Sequence, residues 1–258
     1  MRCVSVPDDG GVWDMSQPWV HAVGEIQFGT GALTVTWPAH TTNDVGILLV
    51  ESANETVATP TDWTALTPQG SGTAGAAGST AIYPFWRRAA GAGTASASVT
   101  DPGDHAVAQI VVIRNALSTA SPIDVEGGDT STTSTSVTIP AVTTTVANAL
   151  VLFGVANGLD QNTNSISAVP GFTNANLDGL VRRDGFMGGF QAGSKLLQDS
   201  SGVGGGFAWG TGLKATAATT GTTTATLLAT SIQARYIVAI KPEPAAAGGG
   251  GGPLVITD

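Results

Sequence analysis

The chain has 258 residues, of which 42% are hydrophobic and only 11% are charged, and its formal net charge is −9. This apolar content is enough for a substantial core. The acidic balance and the scattered basic residues argue against a nucleic-acid binder or an anionic-membrane binder, because both need clustered cations. Gly, Ala, Ser and Thr replace the usual charged residues, which favours β-structure over long helices.

Cysteine usage and the apolar runs restrict the cellular setting. The single cysteine, Cys3, allows neither an intrachain disulfide nor a cysteine zinc cluster. Residues 1–11 lack the apolar segment of a signal peptide. The longest apolar runs, 45–50 and 149–156, are far shorter than the roughly 20 residues that span a bilayer. We therefore expect synthesis in the cytoplasm, no export by the usual route and no membrane insertion.

The first half of the chain is predicted to be an arm followed by short strands. Residues 1–27 contain turn formers and little periodicity, so they predict an N-terminal arm whose Trp13 and Trp19 contact the body or a neighbouring subunit. The continuous apolar run Val45–Val50 predicts a strand buried on both faces. Pro84 predicts an edge strand or a bulge within its segment. The predicted strands are 32–37, 45–50, 81–88, 95–100 and 106–114.

The second half repeats the first. Residues 137–152 match residues 35–50 without a gap, at an offset of 137 − 35 = 102. Repeats of this kind decide how a fold is divided. A linker is predicted at 115–136, and strands follow at 135–139, 149–155, 222–229 and 231–241, with a glycine-rich strand or turn at 203–214. The segment 185–195 is predicted to take the place of 81–88, and Phe172 the place of Trp63 as an apolar plug.

These elements predict an all-β fold, an antiparallel double-sheet sandwich of jelly-roll type over residues 28–241. Its halves are about 28–115 and 130–241. Interlocked halves are preferred to two small sandwiches, because each half alone has too few strands and too little core. The glycine-rich linker within 242–258 carries an apolar triplet that is predicted to dock by strand addition: Leu254, Val255 and Ile256.

The motifs for catalysis and cofactor binding are weak. There is no phosphate-binding loop and no nucleophile elbow, and the three histidines do not form a metal-ligand pair. Asp104 and His105 are adjacent, so on a strand they point to opposite faces and are badly placed for a catalytic triad. Asp124, Glu126 and Asp129 form the densest acidic cluster, and a solvated loop is preferred there to a calcium site. We predict no catalytic residue, no cofactor and no metal.

The tryptophans are the other candidate contact residues. Trp37 lies in an alternating strand and is predicted to be in the core. Trp86 and Trp209 lie in glycine-flanked segments, which makes them the candidates for exposure and for contact with a glycan or a subunit. Contact with the core or with a subunit is preferred.

The motif series resembles structural proteins of tailed bacteriophages. It runs VT-x-PA, GILLV, P-x-x-WT, FWRRAAGAG and AQIVVIRNA, and returns as VTIPA, ALVLFGVA, VPGFTN and YIVAIK over roughly residues 30–241. The resemblance implies a jelly-roll virion component, often trimeric, in a group that includes capsid decoration or spike proteins, tail-fibre modules and minor tail proteins. It brings no active-site residues with it.

Three functions are therefore carried forward. The first is a virion structural protein, not an enzyme, that acts through contacts with other virion proteins and with its own copies, a homotrimer being expected. The second is an adhesin that binds a cell-surface glycan through the loops 67–80, 157–168 and 199–212. The third is a glycan-degrading β-sandwich enzyme, which needs two carboxyl groups across a cleft.

Overall fold

The computed structural model describes residues 17–76, 78–100, 105–158, 171–182 and 205–244. These residues contain no helix that is long and apolar enough to cross a membrane. Their regular structure is all β, in fourteen strands. The strands are β1 Trp19–Val23, β2 Gln27–Gly29, β3 Leu33–Val35, β4 Val45–Ser52, β5 Thr64–Ala65, β6 Gln69–Ser71, β7 Thr80–Arg88, β8 Ala97–Val99, β9 Ala106–Arg114, β10 Ile123–Ile139, β11 Ala149–Asn157, β12 Asp178–Arg182, β13 Gly206–Lys214 and β14 Thr223–Ile240.

Two main sheets pack face to face, and each is drawn from one half of the chain. The first sheet has the order β1-β9-β4-β7-β5, with β2 also pairing with β9 and β6 with β7. The second has the order β10-β14-β11-β13-β12, and β3 and β8 form a separate pair. All of these pairings are antiparallel, so the predicted all-β antiparallel sandwich is confirmed. The predicted interlocking of the halves is not observed, because the main sheets do not exchange described strands.

Three apolar layers hold the sheets together. The central layer lies between them, where Ile47 and Leu49 of β4 share a cluster with Leu152 of β11 and Trp209 of β13. The other two layers cover the outer faces of the first and second sheets. All eight residues of β4 are buried, so the predicted burial of Val45–Val50 on both faces is confirmed.

Equivalent strands of the two halves occupy equivalent positions in the two sheets. The offset between these strands, however, differs from the offset of the gapless sequence repeat. Val45 lies opposite Ile113 in the first sheet, and Leu150 lies opposite Ile240 at the same place in the second. The offset in these strands is therefore 150 − 45 = 105. The gapless alignment paired Leu48 with Leu150, yet Leu48 belongs to an outer layer and Leu150 to the central one.

Three predicted segments need correction. The predicted linker 115–136 is wrong beyond residue 122, because β10 is one strand of 17 residues that pairs along β14. The predicted N-terminal arm includes β1 and part of β2, which both pair with β9. The segment 185–195 lies outside the described residues, and β13 pairs with β11 as β7 pairs with β4, so β13 occupies the position predicted for that segment.

Pro84 lies inside the first sheet and not at its edge. It pairs with Leu49 of β4 on one side of β7. On the other side the neighbouring chain is split into β5 and β6, and Leu66 between them donates its N–H to the Pro84 carbonyl. Proline has no N–H to donate to a ladder, so the flanking strand is interrupted where that donor is missing.

Candidate functional site

The two ends of the sandwich differ in character. At one end lie Val45, Arg88, Arg114 and Ile240, and we call this the arm end because residues 1–16 and 245–258 attach to the body there. At the other lie Ser52, Thr80, Ala106 and Asn157, which we call the loop end. The arm end carries an open groove, and the loop end carries a buried acid–base pair.

The points where the chain enters and leaves the described body are fixed at the arm end. Gln17 donates its side-chain N–H to Asn148 Oδ1 at 3.3 Å. Glu243 accepts hydrogen bonds from the backbone N–H and the hydroxyl of Ser118, and its own N–H donates to the Asn115 carbonyl at 2.8 Å. Asn115 directly follows Arg114, the ladder partner of Trp19. The two points are therefore within about 20 Å of each other.

Trp19 is the exposed aromatic residue of this end. It is 44% exposed, although it lies on β1, a strand of the first sheet. The guanidinium of Arg114 lies 5.8 Å from the Trp19 ring centroid, and the His21 ring stands edge-on at 5.1 Å. Arg114 itself forms a bidentate ion pair with Asp44, with Nε–Oδ1 and Nη2–Oδ2 distances of 2.9 and 2.8 Å. The ring is thus held in a defined place on the surface.

We expect Asp44→Asn to lower the free energy of unfolding by about 1.5–3 kcal/mol at pH 7, because it removes charge-assisted hydrogen bonds from a buried carboxylate. Burial by itself raises the pKa of Asp44, but the hydrogen bonds from Arg114 and Thr41 and the Arg114 charge hold the pKa below its ordinary value. A lowered folded-state pKa means that this stability is present above the ordinary pKa of about 3.8 and is lost as the pH falls through the folded-state pKa.

The measurement is urea unfolding of wild type and Asp44→Asn at pH 7 and at pH 2.5. The matched control is Asp62→Asn, since Asp62 pairs with Arg87 at 3.0 Å but its side chain is 64% exposed. That substitution should cost less than about 1 kcal/mol. Equal costs for the two substitutions would contradict the assignment of the stability to the Asp44–Arg114 pair.

The groove beside Trp19 lies between one edge of each main sheet. Its volume is about 250 Å³. Within the described residues, β1 pairs only with β9 and β12 only with β13, so each strand offers an unpaired edge. The walls combine apolar and polar groups. They come from Gln17, Pro18, Trp19, Val20, Leu150, Asp178, Gly179, Thr211, Gly212 and Leu213. Such a surface suits a partner that brings apolar side chains or a small amphipathic ligand.

The loop end contains a fully buried glutamate and histidine. Glu51 of β4 and His105, just before β9, are each 0% exposed, and His105 Nε2 lies 3.2 Å from Glu51 Oε1. The Thr80 hydroxyl donates to the same oxygen at 2.9 Å. Burial raises the pKa of Glu51, although the hydrogen bonds and the His105 charge oppose that effect. Gly205 closes over the pair, since a Cβ there would fall 2.3 Å from His105 Nε2. The pair is thus enclosed within the loop end of the sandwich.

The structure shows where the candidate tryptophans lie. Trp209 is 0% exposed in the central layer and donates its indole N–H to Gln109 Oε1 at 2.9 Å, so the preferred core contact is confirmed and the alternative of an exposed ring is wrong. Trp86 is partly buried against the same layer. Trp37 and Trp63 pack in the outer layer of the first sheet, with ring centroids 5.4 Å apart. The predicted core position of Trp37 is confirmed.

The predicted acidic loop is part of a strand, and its carboxylates are used separately. Asp124 accepts hydrogen bonds from the N–H and hydroxyl of Thr145. Glu126 accepts from Thr67 and from the Tyr236 hydroxyl, and Asp129 pairs with Arg235. No group of three His, Cys, Asp or Glu side chains in the described residues is arranged to hold a metal ion.

The sequence analysis did not single out Glu51. It placed Trp19 in an N-terminal arm, whereas Trp19 lies on β1. A glutamate that directly follows the apolar run 45–50 was the available signal for a buried acid, because a strand buried on both faces has no solvated side. Trp13, Leu254, Val255 and Ile256, the other predicted arm contacts, lie outside the described residues, as does Cys3.

Comparisons of the chain with protein-family models, with curated proteins and with solved structures find no significant match.

Proposed function

We propose that this protein is a structural component of a tailed-bacteriophage virion, either a head decoration or spike protein or a tail-fibre or minor tail protein, and that it acts through contacts with other subunits. In this proposal the chain is not an enzyme, and its jelly-roll connectivity and homotrimeric state follow the motif resemblance. The virion is then its location, after assembly in the host cytoplasm.

The observation that carries the proposal is the pair of sheet edges at the groove, each of which has no partner strand among the described residues. Trp19 on β1 is 44% exposed, and Val181 on β12 is 43% exposed. Strand edges with exposed apolar side chains are surfaces on which another chain can pair or pack. The described charged groups, by contrast, are largely engaged within the fold, as in the pairs Asp44–Arg114 and Asp129–Arg235. The described surface therefore supports a role in subunit contacts better than a role in catalysis.

A glycan-binding adhesin is the second candidate, because the same groove joins an exposed tryptophan to polar groups. Asp178 and Gln17 line the groove beside the Trp19 ring. A ring that stacks on sugar together with a carboxylate and an amide that bind hydroxyl groups is a suitable combination for a carbohydrate. In this hypothesis the residue that contacts the glycan is Trp19 and not Trp209.

The test of the proposed function is quantitative mass spectrometry of purified phage particles, giving copies of this chain per major capsid protein. Hundreds of copies per particle would support a head decoration protein, and a handful in multiples of three or six would support a fibre, spike or minor tail protein. Absence from the particle would contradict the proposal. Saturable binding of a neutral glycan that is lost in Trp19→Ala would favour the adhesin, and polysaccharide turnover would favour the enzyme.

A further inference from the structure

Three polar side chains close the central apolar layer at the loop end. They are Glu51 of β4, Thr80 of β7 and His105 just before β9, and each is fully buried. Each lies two residues beyond an apolar member of the central layer, namely Leu49, Ile82 and Val107, respectively. Because side chains of a strand alternate between its two faces, positions two apart share a face. All three polar side chains therefore point toward the second sheet.

The second sheet covers these side chains with main chain. Gly205 directly precedes β13, and a Cβ at that position would overlap both His105 Nε2 and Glu51 Oε1. At the end of β11, a Cβ at Gly158 would overlap the carbonyl oxygen of Gly78 in the same way. Glycine thus allows the two halves of the chain to meet closely at this end, and the contact keeps the Glu51 carboxyl group out of water.

Glu51 has little to compensate a negative charge in this place. Among the described residues, only the charge of His105, at 3.2 Å, opposes it, and the Thr80 hydroxyl donates to the same carboxyl oxygen. The other oxygen, Oε2, accepts no hydrogen bond from a described residue. Glu55, in the loop after β4, lies against Gly75. The other charged residues of the surrounding strands lie at the arm end, except for one that pairs with Asp129: Arg87, Arg88, Arg114, Lys214 and, paired with Asp129, Arg235.

We propose that the Glu51–His105 pair is a pH-sensitive switch between the two sheets. While the pair holds a proton, the loop end stays closed. When the pair loses that proton as the pH rises, the sheets separate at this end. The inference goes beyond the proposed function and does not depend on it.

The direction of the switch follows from where the proton is held. Burial raises the pKa of Glu51 above its ordinary value of about 4.5, while the hydrogen bond and charge of His105 and the Thr80 hydroxyl oppose that effect. In an opened loop end, water solvates the carboxylate and its pKa returns toward the ordinary value. The closed form therefore keeps a proton that the open form releases. The opening constant thus increases as the pH rises from about 4.5, and it levels off above the closed-state pKa.

Separation is confined to the loop end because other contacts hold the arm end. There Asp44 and Arg114 form their ion pair, and Glu243 accepts two hydrogen bonds from Ser118. None of these groups touches the buried acid–base pair, and proteins open in local units when only part of their contacts is weakened. Opening of the loop end would uncover Phe207, an apolar residue of the central layer.

The experiment is amide hydrogen exchange of the full chain from pH 5 to pH 9, read by mass spectrometry of peptides and corrected for the intrinsic effect of pH on exchange. In wild type, we expect the opening constant of the loop-end peptides 78–84, 105–109 and 205–209 to rise at least about fivefold over this range. The arm-end peptides 43–47 and 236–240 should change less than about twofold.

Glu51→Gln is the decisive variant, because glutamine keeps the size of the side chain but does not titrate. It should remove the pH response of the loop end, whereas the control Asp44→Asn, at the arm end, should leave that response unchanged. Thr80→Val provides a second variant. Loss of its hydrogen bond raises the pKa of Glu51 further, so the pH at which the opening constant levels off should move upward. Circular dichroism checks that each variant is folded.

A loop-end opening constant that does not vary with pH in wild type would overturn the proposal. A response that persists in Glu51→Gln would do the same, and so would equal opening of the arm-end peptides, which indicates global unfolding. If Glu51→Gln does not fold, an unmoved response in Thr80→Val is the result that overturns it. The count of copies per phage particle tests a different property, because this switch operates in the isolated chain whether or not the chain belongs to a virion.

Discussion

Trp209→Ala is expected to lower the free energy of unfolding by about 3–5 kcal/mol, which is the cost of truncating a large aromatic side chain in a packed core. Trp209 is fully buried between the two sheets. Its indole N–H donates to Gln109 Oε1, and Gln109 Nε2 in turn donates to the Gly24 carbonyl at 2.8 Å. The substitution removes both the packing that joins the two sheets and the donor for a buried amide oxygen.

Urea unfolding followed by circular dichroism measures this effect. The matched control is Trp19→Ala, which removes the same side chain from a site that is 44% exposed. We expect the control to cost less than about 1 kcal/mol in monomeric protein, since exposed positions contribute little to stability. Similar costs for the two alanine substitutions would contradict the face-to-face packing of the sheets around Trp209.

His105→Ala is expected to cost about 3–5 kcal/mol, because it opens a cavity at a fully buried position and removes a hydrogen-bond partner of Glu51. After the substitution, Glu51 keeps the hydrogen bond from the Thr80 hydroxyl at 2.9 Å, while its other oxygen has no hydrogen-bond partner in the part of the chain that the structure describes. The control is His40→Ala, since His40 is only half buried and bonds the Pro38 carbonyl. It should cost about 1 kcal/mol. A His105 variant as stable as the His40 variant would contradict the prediction.

Glu51 also makes stability depend on pH in a defined direction. Burial raises the pKa of Glu51 above its ordinary value of about 4.5. The folded state therefore keeps a proton that the unfolded chain releases, so stability falls as the pH rises from about 4.5 through the folded-state pKa. Unfolding free energies of wild type and Glu51→Gln from pH 4 to pH 9 test this, because glutamine does not titrate. An unchanged slope in Glu51→Gln would refute the assignment. The Asp44 effect lies at lower pH and has the opposite direction.

The strands that sequence predicted well are those whose side chains carry their own signal. The apolar run 45–50 and the segment 106–114 correspond to β4 and β9, because strands buried on both faces need nearly continuous apolar residues. The end of β10 was predicted as the strand 135–139, but residues 123–134 were missed because their Gly-, Ser- and Thr-rich sequence has no apolar pattern. What makes that segment a strand is its long partner β14, and pairing between distant segments is not written in local sequence.

The candidate site was predictable only in part, and the tryptophans show why. Trp19 and Trp209 have the same type of side chain, and the surroundings of each were predicted from its neighbours in the sequence. Trp209 follows several glycines, which suggested exposure, yet β13 lies between β11 and β12 and faces the other sheet. Trp19 lies on a strand whose outer edge is unpaired in the described residues, and this leaves its ring accessible.

The sequence by itself determined the β class, the two-part repeat and the central strands, since alternation, apolar runs and turn residues act over a few neighbouring positions. Only the tertiary structure decided how the halves combine, that the register shifts by three residues, and that Glu51 meets His105 across 105 − 51 = 54 positions. It also decided which tryptophan is buried and which lies open beside the groove. Burial depends on contacts between segments far apart in the chain, and packing of the two sheets settles those contacts.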